Sequence, residues 1–363
     1  MMLEQMLGVI LTLLFLADIF LTVLYARAGS GLLAPLWNRA VWTVLRGLAH
    51  LAGRRRGTLL SLAGPLIVVS LFGFWSMGLT LGAALVIQPE LGAAIRASGG
   101  ETHTDFLTSL LVAGNSLSIV GGGDHSPYTT GTRLLFLMNS LVGASVVSLV
   151  LSYLVQVYSG LRERNALALT VDLMTDGTGD AAVMLARLMP EGDPSNLKSQ
   201  LGNLVGSLAA TKEAHHFYPL LFYFRFEEPR YAVSRFSFVL LDATTLIETA
   251  LDRQRYGGLA TSAAVASIRR GARMLIETLD SHFPTAEDRT DLAGETGRLR
   301  RSYAAATRIL ESAGIPVRSD GTEAYVARRE EWEPLVRRVA PTLGYAMSEI
   351  DQRPPTSQTS ASD

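Results

Sequence analysis

Cysteine is missing from the chain altogether, which excludes disulfides, thiolate metal sites and cysteine nucleophiles. Lysine is nearly missing. Among the 32 basic residues only Lys198 and Lys212 are lysines, a usage that fits a GC-rich, bacterial genome. Net charge is close to absent as well, at −1 over 363 residues, so nothing global points to a nucleic-acid partner. Charge also disappears locally. There are 33 uncharged residues between Arg56 and Glu90 and 28 between Arg133 and Arg162, and a third apolar run, Gln5 to Ala26, holds one acid, Asp18. Each exceeds the roughly 20 apolar residues that cross a bilayer. Enzyme signatures are lacking too: no GxGxxG occurs, and Lys198-Ser199 follows Leu197 where a phosphate-binding loop needs glycine. The adjacent His215 and His216 diverge by about 100° on a helix and do not share a metal easily. No enzyme, metal or cofactor is expected.

What is present reads as an all-α integral membrane protein. The first run, with Ala26-Arg27-Ala28 behind it, has the look of a cleavable signal, but Glu4, the missing basic region and the length favour an uncleaved helix. Residues 27–57 hold six arginines and no acid, whereas 88–130 hold four acids and one arginine. The positive-inside rule therefore puts 27–57 in the cytoplasm and the 88–130 loop outside. The N-terminus is then outside and everything after the third span is cytoplasmic, in the inner (plasma) membrane.

Within the outer loop, residues 104–115 read as a short apolar helix, with Thr104 as N-cap and Asp105 at the positive end of its dipole. It is too short to span, so it is expected to be re-entrant. Ser118-Ile119-Val120-Gly121-Gly122-Gly123-Asp124 follows. Such backbone survives at membrane depth only when buried in protein or lining a water-filled path, and glycine lets successive carbonyls turn to a common axis. The competing reading is a plain outer turn between two packed helices.

The order helix, short helix, glycine-rich stretch ending in Gly-Asp, helix resembles the pore unit of the potassium-channel superfamily, over residues 58 to about 161. Val120, Gly121, Gly123 and Asp124 match the family's filter. Ile119 stands where the family has threonine, and Gly122 where it has tyrosine or phenylalanine. The resemblance implies a selectivity filter at 118–124, a hinge glycine at Gly143, potassium or other monovalent cations as permeant ions, and a homotetramer. Four subunits are needed because each supplies one pore loop. The missing threonine hydroxyl and aromatic imply weaker discrimination of potassium from sodium than is usual in the family.

Ser145, Ser148, Ser152, Gln156 and Ser159 recur at helical spacing on one face of the third span. They would line a wet cavity in a pore; in lipid they would mediate helix packing. Gly78 and Gly82 form a GxxxG face, expected to pack against the third span. Asp18 reads as a structural partner of a linker arginine, or else as a functional intramembrane acid. Residues 36–51 form a basic amphipathic helix with an apolar face of Trp37, Val41, Val44, Leu45 and Leu48, suited to the membrane interface.

The remainder reads as helices at 162–174, 180–189, 195–213, 229–253, 260–281, 286–313 and 322–350, with the aromatic run 215–226 as core and 352–363 disordered. The expected organisation is an N-terminal span and linker (1–57), a pore domain (58–161), a helical cytoplasmic regulatory domain of the non-Rossmann kind with an unknown ligand (162–351), and a tail (352–363). The functional expectation is a bacterial cation channel gated through its third span. The alternative is a non-conducting membrane sensor or scaffold.

Overall fold

The computed structural model describes residues 2–25, 31–51, 56–118, 123–283 and 292–353. About 80% of it is helical. Three helical stretches, Met2–Leu24, Ala63–Glu90 and Thr130–Met174, are long and apolar enough to cross a membrane, and a membrane location fits them. The chain divides into two compact units. One comprises Met1–His50, Ala63–Ser159 and Phe217–Leu220, the other Leu51–Leu62, Gly160–His216 and Leu221–Asp363.

In the first unit, α1 (Met2–Ile19) continues as a π-helical turn (Phe20–Leu24) and packs along α4 (Ala63–Ile87). The GxxxG face makes this contact. A Cβ on Gly78 would overlap the Phe15 ring, one on Gly82 would overlap the Thr12 hydroxyl, and one on Gly8 would sit 2.6 Å from the Gly82 carbonyl oxygen. The glycines therefore serve the first span and not the third as expected. Small residues allow close approach to whichever helix carries complementary small positions, and α1 supplies Gly8 and Thr12.

Asp18 is fully buried, and its partners differ from the expected arginine. Its Oδ1 accepts the backbone amides of Leu33 (2.7 Å) and Ala34 (3.2 Å), and its Oδ2 accepts the Trp75 indole N–H at 2.8 Å. The amides open α2 (Ala34–Leu51), so the carboxylate meets the positive end of that helix. One acid thus ties three segments of the unit together. On α2 the buried residues are Ala34, Asn38, Trp42 and Ala49. The anticipated apolar face is turned elsewhere: Val44 and Leu48 are exposed, and Trp37 stacks on Phe74 with ring centroids 4.4 Å apart.

In the second unit, α9 (Val233–Thr249) is the axis. All of its residues but Glu248 are buried, and the hydroxyls of Thr244, Thr245 and Thr249 are satisfied by carbonyls of the helix itself. Around it pack α7 (Ala181–Leu188), α10 (Arg253–Ala260), α11 (Ala263–His282), α13 (Thr322–Thr342) and α14 (Met347–Ile350), with α12 (Leu292–Ser312) against α7 and α13. Also in this unit are α3 (Arg56–Ser61) and α8 (Ser195–Phe217), which the Asp193-Pro194-Ser195 start opens as anticipated. The aromatic run is core in part: His215 and Leu220 through Phe224 are buried, whereas Phe217 is exposed.

Two expected helices are broken. Residues 229–253 begin with a 3-10 turn, and the α-helix starts only at Val233 and ends at Thr249. The 322–350 segment stops at Thr342, because Gly344 adopts φ +80° and Tyr345 N–H donates back to the Ala340 carbonyl at 3.0 Å. That is a left-handed helix terminator, in which glycine avoids the Cβ penalty. The anticipated stop at Gly314 works the same way, with Ile315 N–H donating to Leu310 O at 3.0 Å.

Candidate functional site

The stretch singled out by sequence leaves a short helix, α5 (Phe106–Leu117), and leads to α6 (Thr130–Met174). The N-cap of α5 is Asp105 and not Thr104. Its carboxylate accepts Thr108 N–H at 3.0 Å and the Thr108 hydroxyl at 2.7 Å, a stronger cap than a neutral hydroxyl offers. Those bonds hold the Asp105 carboxyl below the usual carboxylate range.

Twelve residues make a marginal helix in isolation, so α5 is held by packing. Its buried face is Ser109, Val112, Ala113 and Ser116. Val112 and Ala113 join Ala83, Ala84 and Ile87 of α4 in one apolar cluster, with Leu135 and Phe136 of α6 against it. Its other face is bare, with Leu107 and Leu111 exposed.

The C-terminal end of α5 is fastened twice to α6. Asn139 donates its side-chain amide to the Ser116 hydroxyl at 2.9 Å, both residues being buried, and that hydroxyl donates to Ala113 O at 2.8 Å. Gly143 lies so close to Leu117 that a Cβ would overlap the Leu117 carbonyl. Helix α6 runs through Gly143 without a break. The close approach by itself accounts for glycine here.

Ser118 caps α5, its N–H donating to Gly114 O at 2.9 Å. Ile119, Val120, Gly121 and Gly122 lie outside the described residues. The chain is described again at Gly123 and Asp124, and there it is pinned. The Ser98 hydroxyl donates to Gly123 O at 2.5 Å, and Ser98 N–H donates to Asp124 O at 2.8 Å. Beside this pin, β1 (Ile95–Ala97) pairs antiparallel with β2 (His125–Pro127), and Tyr128 N–H donates to Ala94 O at 2.8 Å. The Asp124 side chain is exposed. Both ends of the glycine-rich stretch are thus fixed by hydrogen bonds and packing within the unit.

Helix α6 presents three faces in this unit. Asn139, Gly143, Val146, Tyr153 and Val157 are buried. At about 100° per residue, Ser145, Ser148, Ser152 and Gln156 lie well away from that face, and all four are exposed. A separate exposed face is apolar, with Val147, Leu151, Val155 and Tyr158. Ser148 returns its hydroxyl to Ala144 O at 2.9 Å.

Sequence reasoning named Ser118, Gly123, Asp124, Gly143 and the α6 polar stripe, but missed Ser98, Ser116 and Asn139. Asn139 had a readable signal, being the one amide in the uncharged run that precedes Gly143 by one helical turn. Ser98 had none, because its role depends on a strand pairing that three-residue strands do not announce.

The second unit holds a different kind of polar site. Asp242, on the buried axis α9, accepts from Arg329 Nη1 at 2.6 Å, Tyr325 OH at 2.8 Å and Arg353 Nη2 at 2.6 Å. Arg353 also grips Asp180, the N-cap of α7. Burial alone would raise the Asp242 carboxyl, but Arg353 and Arg329 outweigh it and hold the group at about 2. The available signal was an acid set directly after the apolar run Phe238-Val239-Leu240-Leu241.

Comparison with family models, curated proteins and solved structures finds no match to this chain.

Proposed function

We propose that four copies of this chain form a cation-conducting pore, with α4, α5, the 118–124 stretch and α6 as the pore module. The observation that carries the reading is the mounting of α5. A short apolar helix is wedged against α4 and α6 with its C-terminal end locked by Asn139 and Gly143, directly before a glycine-rich stretch whose exit is pinned by Ser98. A plain turn between packed helices needs neither lock. In the membrane, α5 is then re-entrant, entering from the outer side and ending at partial depth. The carbonyl end of its dipole favours cations near Ser118.

The exposed hydroxyls of α6 support the same reading, because in a ring of four subunits they face a water-filled cavity. The bare Leu107 and Leu111 face of α5 is available to a neighbouring subunit. Carbonyls of Val120, Gly121 and Gly122 offer the coordinating oxygens, and Asp124 at the outer mouth concentrates cations. Six arginines on the 27–57 side orient the second unit toward the cytoplasm, where it regulates the pore through the continuous helix α6.

The resemblance to potassium channels stops at two positions, Ile119 and Gly122, which lack the threonine hydroxyl and the packing aromatic. Weak discrimination between potassium and sodium follows. Native mass spectrometry and cation flux from proteoliposomes test the proposal together. Tetramers that pass both ions are expected, with the double variant Ile119→Thr, Gly122→Tyr shifting selectivity toward potassium. Tetramers that pass no ion favour a non-conducting sensor; monomers or dimers favour a scaffold.

A further inference from the structure

The second unit contains a cavity of about 240 Å³ where α12, α13 and α14 meet the segment after α14. Arg298, Arg301, Arg337 and Arg353 line it, together with the hydroxyl residues Ser302 and Ser348. Asp351 is the one carboxylate on its wall.

Three of these guanidiniums are already committed. Arg353 is spent on Asp180, Asp242, Ser302 and Tyr325. Arg298 engages Glu295, Glu333 and Asp351. Arg337 binds Glu333 through Nε at 2.8 Å and Glu295 through Nη2 at 3.3 Å, leaving its Nη1 unused. Arg301 is different. It is exposed and makes no hydrogen bond or ion pair among the described residues.

The acids behind the wall neutralise the paired arginines and hold them in place. What remains for an incoming group is all five N–H donors of Arg301, Nη1 of Arg337 and the Ser348 hydroxyl. Donors dominate that set, with one free guanidinium fork, a single Nη1 and a hydroxyl, and it matches an oxyanion. A phosphate group carries more charge and more acceptor oxygens than a carboxylate, so it makes fuller use of the set. The cavity exceeds what a bare ion fills and stands just below the usual range for small-molecule sites. We propose that this pocket binds a small phosphate-bearing molecule through Arg301 and Arg337. Such a ligand would join α12 and α13 to α14 and the segment after it. The inference does not rest on ion conduction, since binding is measurable in a protein that conducts nothing.

The test is isothermal titration of the full-length detergent-solubilised protein at physiological salt with inorganic phosphate, AMP and short-chain dihexanoyl phosphatidic acid. Saturable binding of AMP or of the phosphatidic acid is expected, tighter than that of inorganic phosphate. The Arg301→Gln variant should weaken it about tenfold or more, with the melting temperature of the free protein unchanged because Arg301 has no partner to lose among the described residues. Preference for AMP assigns the phosphate to a soluble metabolite, and preference for the phosphatidic acid to a lipid headgroup; either supports the pocket. No saturable binding of any of the three, or binding that Arg301→Gln leaves unaltered, overturns it.

Discussion

At His215 the imidazole is completely buried, with Nδ1 against Thr211 O at 2.8 Å and the ring 4.5 Å from Phe222. Burial and then the nearby Arg164 push its pKa down to about 3. The folded protein therefore keeps this histidine neutral at pH values where the unfolded chain, near 6.5, takes up a proton. Stability from this residue is present above pH 6.5 and is lost as the pH falls toward 3, at a cost of about 2 kcal/mol between pH 7 and pH 5. Denaturation of the solubilised protein across that range should show the decline, and His215→Phe should flatten it by that amount. An identical pH dependence in the variant would show that His215 does not titrate this way. The sequence marks His215 as core through its aromatic neighbours but gives no sign of Arg164 beside it, since the two lie on different helices. Asp18 is a parallel case. Its cost in an apolar helix is readable, and its structural role was anticipated, yet the indole and amides that compensate it come from segments the sequence does not connect.

Elements were legible where one physical signal dominates. Apolar runs specify the three long apolar helices, and Asp193 and Gly314 specify a start and a stop. Legibility fails where an element exists by virtue of its partner. The β1–β2 pair is too short to show alternation, and the end of α13 at Gly344 lies within a pattern that periodicity alone continues to Ile350. The GxxxG face was recognised as a contact surface but assigned to the wrong neighbour, because spacing reveals that a helix approaches and not which one. The contact between α5 and α6 permits a test at this scale. Gly143→Ala places a methyl on the Leu117 carbonyl, and such overpacking costs about 1–3 kcal/mol. The melting temperature of the solubilised protein should fall, and cation flux with it, as α5 is displaced. Unchanged thermal stability with altered open probability would instead make Gly143 a hinge.

For the molecule as a whole, the sequence carries the separation of an apolar, helix-dominated part from a polar one, because hydrophobicity is a property of composition. Assembly and conduction are different in kind. The proposed pore exists only between copies, and the single chain shows a locked short helix, a glycine-rich stretch with both ends fixed, and a hydroxyl stripe left exposed on α6. The central claim is that these components surround a path for cations. Currents through planar bilayers containing the purified protein test it most directly, recorded under a potassium chloride gradient and then with potassium facing sodium. The account predicts currents that reverse near the cation equilibrium potential in the gradient and close to zero when potassium faces sodium. Bilayers that hold tetramers yet show no current above the protein-free level, or currents that reverse at the chloride potential, would contradict it.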